Sequence, residues 1–153
     1  MAEPVEAKTT DDYGKPPPRW ILKTFTRINV LVYKLSGGRL MNKLEGMPII
    51  LVTMKGAKSG RTITIPLMYV PHEKGFILVA SQGGAPKHPA WYHNLVKNPN
   101  IEITHEGRTQ KLTARRVDEE EKAILWPTCI DYYPPYEQYQ RRTERRIPVF
   151  LCE

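Results

Sequence analysis

The residues best suited to chemistry lie in two glycine-rich stretches and one tyrosine-rich stretch. The first is Gly56-Ala57-Lys58-Ser59-Gly60-Arg61, which runs straight into the alternating segment Thr62-Ile63-Thr64-Ile65-Pro66-Leu67. Glycines bracket a cation and a hydroxyl, so backbone N–H groups can turn toward one point while Lys58, Ser59 and Arg61 add charge and donors. Such a concavity suits an anion, most naturally a phosphate. The Gly-x4-Gly-Lys-Ser/Thr spacing of a nucleoside-triphosphate loop is missing, and the loop leads into a strand rather than a helix. A plain hairpin turn with solvated Lys and Arg is the competing reading, because Gly and Ser dominate ordinary turns.

The second stretch is Ser81-Gln82-Gly83-Gly84-Ala85, followed by Lys87-His88-Pro89-Ala90-Trp91-Tyr92-His93-Asn94-Leu95. Trp91 and Leu95, one helical turn apart, serve either as core or as one wall of a site. No Ser-His-Asp arrangement follows from spacing, and Glu119, Glu120 and Glu121 read as the solvated start of a helix rather than an acid–base pair. For an enzyme, this leaves the hard chemistry to a bound cofactor, with the protein supplying position and field. His72, His88, His93 and His105, with Cys129 and Cys152, lack ligand spacing, so no metal is expected.

The chain has 153 residues, 41% hydrophobic and 25% charged, which fits one globular domain. No apolar run approaches the roughly 20 residues of a membrane span. The acidic, polar N-terminus does not read as a secretory signal, and the sparse cysteines suit a reducing, cytoplasmic setting. A net charge of +7 favours anionic partners: nucleic acid, an acidic membrane surface or a phosphorylated cofactor. A nucleic-acid module should interleave aromatic residues with Lys and Arg. Only Tyr132 to Arg146 approaches that pattern, and Asp131, Glu137 and Glu144 dilute it, so nucleic acid is not an expected partner.

Met1 to Pro18 is polar and ends in a proline run, the composition of a flexible tail. Arg19 to Leu35 places Ile21, Phe25, Ile28, Val32 and Leu35 at helical spacing, widened by Leu22 and Leu31, with Lys23, Arg27 and Lys34 alongside. This helix either packs on the domain or lies on an anionic membrane as a peripheral contact; Ser36-Gly37-Gly38 ends it. Strands are predicted over Pro48 to Met54, Arg61 to Val70 and Gly75 to Ser81, then as a hairpin of Ile101 to His105 with Thr109 to Val117, and at Ile147 to Cys152. A short helix is predicted over Pro89 to Val96. Asp118 caps another, which Pro127 interrupts. Five or six mostly antiparallel strands joined by short turns, with few helices, imply a mainly β, α+β fold, a closed or split β-barrel over residues 19–153.

The two glycine stretches, Pro66-Leu67, the Pro89 to Leu95 segment, Tyr133-Pro134-Pro135-Tyr136-Glu137-Gln138-Tyr139 and Arg146-Ile147-Pro148-Val149 occur together in the order and spacing of one family. From about Pro17 onward the chain resembles the mycobacterial-type deazaflavin-dependent nitroreductases, also described as F420H2-dependent quinone reductases. The resemblance implies a split, flavin-reductase-like barrel and coenzyme F420, a reduced deazaflavin with a phosphate-bearing, glutamylated tail in a basic groove. It places Ala57, Lys58 and Ser59 at the tail and phosphate. Ile63, Thr64, Ile65, Pro66, Leu67 and Met68 line the coenzyme, Val79, Ala80, Ser81 and Gln82 approach its ring, and Ala90, Trp91, Tyr92, His93 and Asn94 close the site. Where the family has Arg, this chain has Ala57 and Ile63, and Gln82 stands at a Lys position; Arg61 is expected to supply the missing charge. The implied reaction is hydride transfer to a quinone, enone or nitroaromatic. Ser81 is expected to stabilise the charge that builds on the acceptor. Tyr133, Tyr136 and Tyr139 form an aromatic wall around the acceptor or, alternatively, a packing cluster beside a helix; a tyrosine hydroxyl or water delivers the final proton. The alternative enzyme keeps the barrel and binds flavin mononucleotide.

Overall fold

The computed structural model describes residues 27, 28, 30–36, 43, 44 and 46–153. The predicted tail over residues 1–18, the first part of the amphipathic helix (residues 19–26) and Gly37 and Gly38 lie outside the described residues.

The sheet is built on β2 (Met47–Lys55), whose residues Ile49 to Val52 are buried in an unbroken row. A continuous apolar run of this length marks a strand covered on both faces, and β2 is paired on both edges as well. β3 (Thr62–Met68) runs along one, from Ile49↔Met68 to Lys55↔Thr62. β6 (Asn100–His105) takes the other, from Leu51↔Thr104 to Thr53↔Glu102. β1 (Lys43–Leu44), β4 (Pro71–His72), β5 (Gly75–Val79), β7 (Arg108–Arg116) and β8 (Val149–Cys152) complete an eight-stranded sheet in the order β1-β2-β6-β7-β8-β5-β4, with β3 hanging from β2. Every pairing is antiparallel. The fold is the expected α+β split barrel; the strands beyond the five or six predicted are the two-residue β1 and β4.

All five residues of β5 are buried, and its two-residue period divides them between two cores. Phe76 and Leu78 join Ile50, Val52, Met54, Leu95, Ile101, Ile103 and Phe150 inside the barrel. Ile77 and Val79 face Leu125, Cys129, Tyr133, Tyr136, Ile147 and Leu151. The second core is roofed by α3 (Glu119–Tyr132) and α4 (Pro135–Arg142).

Asp118 caps α3 as expected, its Oδ1 accepting from the Glu121 N–H at 2.8 Å. Pro127 does not interrupt that helix, which continues to Tyr132. Leu125 and Cys129, on either side of it, are anchored in the second core, and this packing outweighs the one hydrogen bond that the proline removes. The tyrosine-rich segment, for which no helix was predicted, forms α4, started by Pro134 and Pro135 with φ already set for a first turn.

The amphipathic helix is present at residues 27, 28 and 30–35 (α1), and in the described part of its expected stripe Val32 is half-buried while Ile28, Leu31 and Leu35 are exposed. Tyr33 is the buried residue, 1% exposed, with its hydroxyl accepting from the Glu106 N–H at 3.2 Å. Ile28, Leu31 and Leu35 are 55%, 56% and 79% exposed. Among the described residues, no helix is long and apolar enough to cross a membrane.

Two outcomes follow from this packing. A Cβ added at Gly75 would run into the carbonyl oxygen of Cys152 on β8, inside a sheet that cannot move aside; Gly75→Ala is expected to lower unfolding free energy by about 1–3 kcal/mol or more, read from denaturant midpoints. Burial pushes the Cys129 and Cys152 thiols up to about 12. Neither should react with a thiol reagent at neutral pH until denaturant is added, when both should.

Candidate functional site

The first glycine loop joins β2 to β3, and its backbone is tied down almost completely. The Gly56 N–H donates to the Arg61 carbonyl at 2.8 Å, and the Gly60 N–H to the Gly56 carbonyl at 2.9 Å. The Arg61 N–H donates to Ser59 Oγ at 3.2 Å, and the Ala57 N–H to Asn94 Oδ1 at 2.8 Å. Lys97 Nζ donates to the Ala57 carbonyl at 2.6 Å. Of the expected ring of N–H groups, those of Gly56, Ala57, Gly60 and Arg61 are bonded within the protein, which leaves those of Lys58 and Ser59. It offers outward the side chains of Lys58, Ser59 and Arg61, all exposed. Among the described residues the ion pairs are Arg115–Glu121 and Arg141–Glu137, so neither loop cation is neutralised by a carboxylate.

Asn94 and Lys97, which pin this loop, lie on α2 (Ala90–Lys97). Sequence reasoning placed Asn94 at the coenzyme; its side chain holds the loop that carries the cations. Lys97 was not anticipated, because nothing local to Lys97 indicates a partner forty residues earlier.

β3 alternates cleanly. Ile63, Ile65 and Leu67 turn toward the first core, half-buried beside Trp91 and Tyr92. Thr64 turns the other way, with its Oγ1 2.9 Å from Thr53 Oγ1. Among the described residues β3 pairs with β2 alone, and an edge without a described strand partner is where Pro66 is tolerated.

The second glycine stretch follows β5 as a single 3-10 turn at Gln82–Gly84. Gln82, Gly83 and Gly84 have φ of 45°, 63° and 79° in succession. Gln82 is thus a non-glycine residue in the left-handed region, a conformation that its surroundings must enforce. At Gly84 a Cβ would lie 2.6 Å from the Tyr139 carbonyl, so this glycine lets the turn lie directly on α4. Val79, Ala80 and Ser81 are buried, and Gln82 is exposed.

Arg145, a residue that the sequence did not single out, meets this turn. Its Nε donates to the Ala85 carbonyl at 2.8 Å, its Nη1 to the Ala80 carbonyl at 3.2 Å and its Nη2 to the Ser81 carbonyl at 2.7 Å. Nη1 also lies 3.0 Å from His88 Nδ1. A guanidinium only donates, so His88 Nδ1 is the acceptor and the ring carries its hydrogen on Nε2. Burial, and then the charges of Arg145, Arg116 and His93, hold the imidazole below its ordinary pKa. The ring lies 4.3 Å from that of Tyr92, whose hydroxyl accepts from Arg116 Nη1 at 2.7 Å. Ala90 and His93, on the same helix, are exposed.

Tyr133 and Tyr136 are 6% and 5% exposed and, with half-buried Tyr139, make one packed cluster in the second core. The Tyr133 and Tyr136 rings are 4.8 Å apart, and the Tyr133 and Tyr139 hydroxyls 3.1 Å apart. Burial raises the Tyr136 hydroxyl well above the ordinary phenol range, which keeps it protonated. Tyr132, 41% exposed, turns away from this cluster toward Tyr69.

Two adjoining cavities, of about 490 and 380 Å³, share Thr53, Thr62 and Glu102 and lie beside the first loop. Thr64 is the one predicted coenzyme residue lining either. Among the described residues, His72, Glu73 and Glu153 bring three possible ligand atoms within 4.8 Å of one another at the β4–β5 hairpin, but both carboxylates are exposed side chains.

Asn94→Ala removes the acceptor of the Ala57 N–H, and is expected to cost about 1–3 kcal/mol of stability while weakening anion binding at the loop; denaturation and anion titration of the same variant check both. His88 should titrate below the 6.5 of a free imidazole in an NMR pH series. Stability tied to neutral His88 is then complete above about pH 6.5 and is lost as pH falls through that value toward the lowered pKa, because the unfolded chain binds the proton more readily.

With these features in place, comparison with known proteins is direct. The family profile for F420H2-dependent quinone reductases matches residues 25–153. An F420H2-dependent quinone reductase of Mycobacterium tuberculosis is 35% identical over 129 residues, covering 82% of this chain and 87% of that protein. A solved F420-H2 dependent reductase (FDR-A) is 43% identical with a TM-score of 0.65, covering 69% of this chain and 94% of its own. Another solved chain, described as a domain-swapped dimer, is 36% identical with a TM-score of 0.69, covering 88% of this chain and 97% of its own. The loop, the strand and the turn described above therefore belong to a member of the F420H2-dependent quinone reductase family.

Proposed function

We propose that this oxidoreductase reduces quinones with coenzyme F420, binding the coenzyme across the first glycine loop, β3 and the Ser81 turn. One observation carries the reading: exposed cations with no carboxylate partner among the described residues sit on a rigidly pinned loop and lead into a strand that, among those residues, is paired on one edge only and has an apolar inner face. An acidic, phosphate-bearing tail fits the first part and a flat heterocycle the second, so the residues present suit the group. Lys58, Ser59 and Arg61 take the tail, with Arg61 supplying charge that Ala57 and Ile63 do not. Ile63, Ile65 and Leu67, with Trp91 and Tyr92, provide the apolar wall, and the edge of β3 that no described strand covers offers backbone groups to ring heteroatoms.

When bound, the reduced deazaflavin supplies a hydride. The protein holds donor and acceptor at near-attack distance and meets the developing negative charge with a hydrogen bond from Ser81. Tyr133 and Tyr136 support the acceptor side through the packed cluster, with Tyr139 the more accessible of the three. Enones and nitroaromatics, which also accept a hydride at an electron-poor centre, are further substrates under the same reading. Apolar quinones partition into lipid, and α1 offers Ile28, Leu31 and Leu35 outward with exposed Arg27 and Lys34 beside them. That is the arrangement of a peripheral contact with an anionic membrane.

Anaerobic mixing of the protein with reduced F420 and a quinone should restore the absorbance of the oxidised coenzyme at a rate proportional to enzyme; no recovery would reject the activity. Lys58→Ala with Arg61→Ala should weaken coenzyme binding by about 10- to 100-fold and flatten its salt dependence. Ser81→Ala should slow turnover by up to about 100-fold with coenzyme affinity nearly unchanged.

A further inference from the structure

We infer that Arg145 is a positioning residue of the reducing site, whose guanidinium holds the 80–88 turn in the shape that aims Ser81. The inference rests on the assignment of the Ser81 turn to the reaction. The turn is not held by its own bonds alone. Three successive residues take positive φ, one of them Gln82, and the carbonyl of buried Ala80 has no donor within the turn. Within the turn, only the Gly84 N–H to the Ser81 carbonyl at 3.0 Å and the Ala85 N–H to the Gln82 carbonyl at 3.1 Å tie it together.

Arg145 supplies what is missing from one rigid plane. Three carbonyls (Ala80, Ser81, Ala85) and the His88 ring nitrogen converge on three guanidinium nitrogens between 2.7 and 3.2 Å. A lysine cannot reproduce that fork, because its ammonium is a single point at the end of a flexible stem. The base of Arg145 is itself fixed. Gln140 Nε2 donates to the Arg145 carbonyl at 2.9 Å, while Gln140 Oε1 accepts from the Ile147 N–H and from the buried Lys122 Nζ, each at 3.0 Å. The Ala80 N–H donates to the Pro148 carbonyl at 2.9 Å, three residues beyond the arginine. The C-terminal segment thus holds the Ala80 N–H and the Ala80 and Ser81 carbonyls, and the same α4 that leads to Arg145 carries Tyr136 and Tyr139. With both carbonyls drawn to Arg145, the Ser81 backbone has one orientation, which sets where its side chain leaves the turn.

The experiment uses the full chain with Arg145→Lys, Arg145→Ala and, as a control for lost charge, the surface variant Arg141→Ala. Without coenzyme, hydrogen exchange of the Gly84 and Ala85 amides should speed by at least about 10-fold in Arg145→Lys relative to Arg141→Ala, and the His88 ring should titrate closer to a free imidazole. With coenzyme and quinone, kcat should fall about 10-fold in Arg145→Lys and further in Arg145→Ala, with the coenzyme Kd changed less than about threefold. Unchanged exchange in Arg145→Lys overturns the inference, and so does a kcat within twofold of the wild type in either folded Arg145 variant. A wild-type protein inactive with F420 would reject the proposed function and leave the exchange result to decide the clamp. Should Arg145→Ala not fold, Arg145→Lys carries both measurements.

Discussion

Two-sided pairing of β2 is the constraint from which the rest follows. Ile50, Leu51 and Val52 are essentially inaccessible to solvent, and burying side chains of this size stabilises a fold by roughly 1.5–3 kcal/mol each. That burial requires β3 on one edge of β2 and β6 on the other. Among the described residues β3 then has no second strand neighbour. The loop from Gly56 to Arg61 is simply the connection that the β2–β3 pairing demands, and it emerges where β2 leaves the core, at exposed Lys55. A strand held this firmly on one side is a rigid support for a group bound on the other.

Polar backbone in the two turns is satisfied from a distance, and the two turns differ in the means. At the first loop, a neutral amide (Asn94) and an ammonium (Lys97) from one helix take the N–H and the carbonyl of a single residue, Ala57. The cations Lys58 and Arg61 are left free of that task. At the second turn, a cation is itself the structural element, and burial of its partners makes each hydrogen bond stronger than it would be in water. Fixed amide contacts behind exposed cations suit an anionic ligand. A fixed guanidinium behind a single hydroxyl suits one atom that must be aimed.

The tyrosines and α1 show burial sorting similar-looking residues into unlike roles. Tyr133 and Tyr136 are core, their rings sharing the second cluster with Leu125 and Cys129. Tyr132, adjacent in sequence, is largely solvent-facing. On α1, Tyr33 reaches the domain and caps the Glu106 N–H at the β6–β7 turn, where Glu106 and Gly107 both take positive φ. Ile28, Leu31 and Leu35 of that helix remain exposed. One aromatic residue with a polar tip is therefore the described attachment of α1 to the β6–β7 turn, consistent with a helix whose apolar face meets something other than its own core.

Strand positions were legible in the sequence because they depend on periodicity. The unbroken run at Ile49 to Val52, the alternation from Thr62 to Leu67 and the turn at Glu106-Gly107 each specify their element locally. So did the Asp118 cap. The grouped motifs carried the family, and with it the coenzyme. What tertiary structure alone decided were the contacts made across long stretches of chain. Arg145 looked like one charge in the run Arg141-Arg142-Thr143-Glu144-Arg145-Arg146, yet its partners lie about sixty residues earlier. Asn94 carried no local sign that its side chain anchors a loop 37 residues earlier. Pro127 looked like a stop and is carried through by core packing. Local sequence sets which backbone shapes are cheap, whereas the partner of a donor or an apolar face depends on where the chain returns in space, and no spacing along the chain encodes that directly.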